Sequence, residues 1–302
     1  MTQRNSANRG VTGVVAAVPT IEGGGIRVNR PFPTAAADWF DPFLLLDEMA
    51  ETKHPPGKAK GVPPHPHRGF ETVTYMFAGE IEHRDSAGNH DIIGPGDVQW
   101  MTAGDGIVHS EMLSERLQRE GGTSHGLQLW VNLPATLRRT QPRYQALTSD
   151  AMTPVEADGW TAKLVAGELL GKHGPAATHT PITYAMVTVE TNQTARIPAP
   201  EGATALVYLV DGPATIGDEE LLVESKHLVV FDRSDGDIIV GAHETELRCL
   251  VLVGEPINEP MERYGPFVMN TTDELVEAVE DFNAGRMGRL SAAGGVTKSH
   301  QP

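Results

Sequence analysis

The sequence predicts an all-β protein of two domains, each a sandwich or barrel, and three observations carry that prediction. Glycine and proline together number 54 (32 + 22) in 302 residues, a density of turn-formers that punctuates the chain from end to end. Between them recur short runs rich in β-branched and aromatic residues. Helical periodicity is clear only near the C-terminus. The length calls for two domains, since one commonly holds about 100–200 residues.

Taken in chain order, the first run is Val11 to Val18. Phe70 to Phe77 alternates apolar and polar residues and stops at Gly79, as a half-buried strand does. Gly104-Asp105-Gly106 is a turn leading into the β-branched pair Ile107-Val108, and Gly126 to Asn132 is a further strand. A linker is expected within Thr140 to Pro154, so the domains are placed at 1–145 and 146–302. Tyr184 to Val189, Ala205 to Val210, Lys226 to Phe231 and Leu247 to Val253 continue the pattern. Near the end, Thr271-Thr272-Asp273-Glu274 supplies a capping box. It opens a short helix with Leu275, Ala278, Val279 and Phe282 on one face and Gly285 as its stop. The tail from Ser291 to Pro302 is small and polar, a composition expected to be disordered.

Composition excludes several classes. One cysteine, Cys249, rules out an intrachain disulfide, which fits a reducing compartment; within Leu247 to Val253 it is expected to pack in a core. No apolar signal segment opens the chain, and nowhere do eighteen apolar residues run together. A soluble cytoplasmic protein without a membrane partner is the expectation. The net charge is −16, with no dense Lys/Arg run, so direct nucleic-acid binding would work against the protein's own field.

The chemistry concentrates in two short motifs. His65-Pro66-His67 and His109-Ser110-Glu111 each carry candidate ligands two positions apart. On a strand, residues i and i+2 point to the same face, so two adjacent strands would aim three imidazoles and a carboxylate at one point. Nitrogen with carboxylate oxygen suits a first-row divalent ion better than calcium or magnesium. Four such ligands on an octahedral ion leave two positions open. His125 could be core, pocket wall or surface, and Trp100 and Trp130 are candidate barrel-core residues rather than a substrate platform. Comparing the halves, Val73 to Gly79 resembles the stretch ending at Gly212, a shift of 133 residues (212 − 79). That shift carries His65 and His67 onto Pro198 and Pro200, so the second half is read as lacking the metal site.

His65-Pro66-His67-Arg68-Gly69-Phe70-Glu71-Thr72-Val73-Thr74-Tyr75 resembles the pirin family, as do Pro95 to Gly104, Gly126 to Asn132, Gly265 to Asn270 and Asp41 to Asp47. The resemblance covers most of the chain in family order. It implies two antiparallel β-barrels of the cupin, jelly-roll-like type, with one metal in the N-terminal barrel and none in the C-terminal one. Metal ligation is carried onto His65, His67, His109 and Glu111. Iron(II) is the expected metal, with nickel, copper, cobalt, manganese or zinc as alternatives. The wider cupin pattern would offer Glu71 instead of Glu111. Bacterial pirins also resemble quercetin 2,3-dioxygenases, which implies oxygen-dependent cleavage of a flavonol, with Glu111 taking the hydroxyl proton. The other implied role is a redox-responsive regulator that acts through a protein partner without turnover.

Overall fold

The computed structural model describes residues 8–290, of which about 55% lie in strands and 10% in helices. The Ser291 to Pro302 tail lies outside the described residues. Two compact units emerge, each built from one seven-stranded and one four-stranded antiparallel sheet. The first unit holds Pro19–Arg30, Phe43–Ser149 and the chain from Ile257 on; the second holds the chain up to Val18, Pro31–Pro42 and Asp150–Pro256.

This division differs from contiguous domains at 1–145 and 146–302, because both ends of the chain cross over. Strand Val11–Ala16 pairs with His227–Phe231 at the edge of the second unit's large sheet. The C-terminal segment returns to the first unit, where Phe267, Met269, Leu275 and Ala278 pack on Val108. A composition-based cut sees neither exchange, since both are long-range pairings. The chain passes from the first unit to the second between Ser149 and Asp150.

The helix, Thr272–Asn283, has the capping box read from its sequence: Thr271 Oγ1 accepts from the Glu274 N–H, and the Glu274 carboxylate accepts from the Thr271 N–H. Leu275 and Ala278 are buried on its inner face, while Phe282 is exposed.

In the first unit the large sheet runs Arg143–Leu147, Val98–Thr102, Phe70–Ala78, Gly122–Asn132, Phe43–His54, Ile26–Phe32 and Val18–Glu22. Its small sheet runs Val62–His67, Ile107–Leu113, Ile81–Asp85 and His90–Ile93. Val62–His67 contains Pro63, Pro64 and Pro66 and lies at the sheet edge, where a missing N–H breaks no ladder. The strand ends at Gly69, whose φ is +89° and whose added Cβ would lie 1.8 Å from the Val268 carbonyl oxygen. Only glycine permits both that conformation and that approach.

The second unit's interior is apolar. Leu164, Val187, Val207, Val229, Ile238 and Val251 are among the fully buried residues of one continuous cluster. Cys249 belongs to it, and burial pushes its thiol up to about 12, so this cysteine is a packing residue. Pro198 and Pro200, reached by the repeat shift, are exposed; the buried face of that strand is Ala195, Ile197 and Ala199. The shift is therefore one residue out of phase on this strand, and apolar side chains, not prolines, fill its inner face.

Candidate metal centre

Three of the expected ligands come together. Val62–His67 and Ile107–Leu113 are antiparallel neighbours with His65 directly opposite His109, and His67 shares the face of His65 by alternation. Ligand atoms of His65, His67 and His109 all lie within 4.8 Å of one another, the one such grouping of His, Cys, Asp and Glu among the described residues. The His65 and His67 Nε2 atoms are 3.1 Å apart.

The hydrogen bonds around these rings prepare them as ligands. His65 Nδ1 sits 2.8 Å from the Pro63 carbonyl oxygen, and His67 Nδ1 3.4 Å from that of Pro266. A carbonyl can only accept, so each Nδ1 carries a proton there, which leaves Nε2 as the nitrogen that can ligate. His109 is fully buried, and neither ring nitrogen has a hydrogen-bond partner, an arrangement costly unless something else meets those atoms. Burial holds the His67 and His109 imidazoles well below the ordinary histidine range, and the neighbouring histidines push in the same direction. Oriented, converging imidazoles, two of them biased by burial toward the neutral form, are what a first-row divalent ion requires, so the residues present fit such an ion.

Glu111 is buried on the same strand face as His109, although the register shifts between the two. Its carboxylate is outside the three-histidine group and is held from below by a polar row. Thr74 lies between Gln99 and Gln128 on three adjacent strands. Thr74 Oγ1 donates to Glu111 Oε1 at 3.2 Å, Gln99 Nε2 donates to the same oxygen, and Gln128 Nε2 donates to Oε2 at 3.0 Å. Glu71 alternates to the opposite face from Thr72 and Thr74 and accepts from Thr102 Oγ1 at 2.6 Å. It is not in the histidine group either.

Other side chains of this unit find quieter places. His125 is buried against Glu48 at 2.8 Å. Trp100 is fully buried, whereas Trp130 stacks near Phe70 and meets the His67 ring edge-on at 5.2 Å between centroids. Arg68 bonds the Asp105 carbonyl and, at 2.6 Å, Asp281 of the helix. Asp97 accepts from the Gly94 and Ser149 N–H groups.

Two residues escaped the sequence reading. His83 and Asp85 lie opposite Glu111 and His109 on the other neighbouring strand. His83 Nε2 donates to Asp85 Oδ2 at 3.1 Å, its ring stacks on Tyr144, and its centroid is 5.4 Å from that of His109. Burial tends to raise the Asp85 pKa, yet bonds from His83 and Asn89 hold it below the ordinary range. The signal was present, because His83-Arg84-Asp85 has the same i, i+2 spacing as the two motifs that were singled out.

Residues 25–131 match the Pirin family and residues 184–288 match the Pirin C-terminal cupin domain. The chain belongs to the pirin family. It is 42% identical over 251 residues to a Pseudomonas aeruginosa protein provisionally named a quercetin 2,3-dioxygenase, covering 82% of this chain and 87% of that one. A solved structure titled quercetin 2,3-dioxygenase, from Acinetobacter baumannii, superposes with a TM-score of 0.87 at 37% identity, covering 93% of this chain and 99% of that one. A bacterial pirin from Escherichia coli in complex with nickel(II) shares the fold at 18% identity, with a TM-score of 0.64, over 81% of this chain and 99% of that one. Among the described residues no helix is long and apolar enough to cross a membrane.

Proposed function

We propose that this pirin is a metal-dependent dioxygenase that cleaves a flavonol of the quercetin type with O2. The observation carrying the reading is the trio of converging imidazoles, with the partnerless His109 nitrogens among them. Similarity to proteins named quercetin 2,3-dioxygenase supports the substrate class. His65, His67 and His109 would hold the ion, with Glu111 as the fourth ligand from the same strand face. Iron(II) is the metal we assign. When bound, such an ion acidifies a coordinated hydroxyl and activates dioxygen in register with it.

The chain's own residues supply the rest. Glu111 takes the proton of the flavonol 3-hydroxyl at its carboxylate. Gln99, Gln128 and Thr74 hold that carboxylate in place through bonds to both of its oxygens. His67 and His65 stay oriented through their Nδ1 bonds to backbone carbonyls. The test is anaerobic iron loading followed by oxygen uptake with quercetin, with carbon monoxide release measured alongside. Turnover is expected in the wild type and absent in His65→Ala and under argon. Equal turnover with and without oxygen would refute the reaction. Metal retained in Glu111→Gln but lost in Glu71→Gln would refute the ligand assignment.

A further inference from the structure

A cavity of ≈ 210 Å³ in the first unit has Glu111 in its lining. Met49, Met76, Ile81 and Leu113 also line it and give it an apolar body. Its remaining wall is of a different character. Arg27, Lys58 and Lys60 all line it, and Glu111 is the one carboxylate that does. All three cations are exposed, and among the described residues none has an ion-pair or side-chain hydrogen-bond partner. In a chain of net charge −16, this apolar cavity is thus rimmed by three cations without a carboxylate partner. Such a rim gives an acid group a direct partner.

We propose that this cavity selects aromatic anions: the apolar walls take the ring system, and Arg27, Lys58 and Lys60 take a sulfonate, sulfate or carboxylate at its distal end. The preferred substrate is then an acidic aromatic enol rather than a neutral one. The placing of the reacting hydroxyl toward Glu111 rests on the function proposed above; the charge preference does not.

Two fluorescent probes of the same ring system separate these points. 1-Anilinonaphthalene-8-sulfonate and N-phenyl-1-naphthylamine differ by one sulfonate and are titrated into the full-length, metal-loaded protein. At low salt the sulfonate should bind roughly tenfold more tightly, the sum of a few screened surface ion pairs. In the triple variant R27Q/K58Q/K60Q the advantage should shrink to about twofold, and R27K/K58R/K60R should restore it. The neutral probe, binding all variants, reports that the cavity remains formed. Equal affinity for both probes, or an advantage that survives the triple glutamine variant, would overturn the proposal. Probe discrimination without flavonol turnover would leave this inference standing and remove the reaction assignment. Flavonol turnover without probe discrimination would do the reverse.

Discussion

The two units share one strand plan and fill it with opposite chemistry. In the first, Thr74, Gln99, Gln128, Glu111 and the histidines point inward and satisfy one another or converge. In the second, the same architecture closes on Val207, Leu209, Ile238, Val240 and Val251. Thr74 and Val207 are related by the 133-residue repeat shift (207 − 74), so at this position the contrast is one of nearly equal volumes and different polarity. A barrel of this type evidently needs no polar interior to fold. The first unit's buried polar groups therefore call for an explanation beyond stability, because an unsatisfied buried polar atom costs about 1–3 kcal/mol.

The largest expected effect breaks the contrast outright. His109→Ala should lower metal affinity by more than about 100-fold, read by elemental analysis after dialysis. A variant that keeps one ion per chain would show that the trio is not the site. The second effect concerns protons in the metal-stripped protein. The folded-state pKa values of His67 and His109 are depressed, so the unfolded chain binds more protons as the pH falls below the ordinary histidine value near 6.5. Stability is therefore fully present above that pH and is lost on acidification, by at most about 1.4 kcal/mol per pH unit for each group. Urea midpoints at neutral and mildly acidic pH measure it. Flat midpoints, or a slope unchanged in the double variant His67→Gln/His109→Gln, would contradict it.

Exchanging the paired positions gives a third test. Val207→Thr buries a hydroxyl among apolar side chains and should cost about 2 kcal/mol in thermal or urea unfolding. Thr74→Val removes a donor to Glu111 and should weaken metal binding about tenfold while altering stability less. If the two substitutions had the same effects, the division of labour between the units would be illusory. Smallest is the contribution of the returning C-terminus. Thr271→Ala removes the helix cap and should cost about 1 kcal/mol, seen as earlier hydrogen exchange across residues 272–283 with metal content unchanged.

Much of the site was legible because strand alternation is a local rule. His65 and His67 could be assigned to one face from spacing alone, as could His109 and Glu111, and the helix announced itself through Thr271 and Glu274; that the two strands lie side by side is a matter of pairing. The polar row of Thr74, Gln99 and Gln128 was not legible. Its members lie on three strands, and only sheet register makes them neighbours. His83 and Asp85 were legible in spacing but carry meaning only once their strand is seen beside that of His109. The repeat shift failed on the strand Thr194–Ala199, because a one-residue change of phase exchanges inward and outward faces.

By itself, then, the sequence determined the β class, the helix and its cap, and the common face of His65 and His67. These depend on residue types and on separations of two to four positions, which local backbone geometry enforces. Tertiary structure alone decided which ends of the chain cross over, which side chains hold the Glu111 carboxylate, and which cations surround the cavity. Those outcomes rest on pairings between residues tens to hundreds of positions apart. Register and packing set such pairings, and no short stretch of sequence contains them.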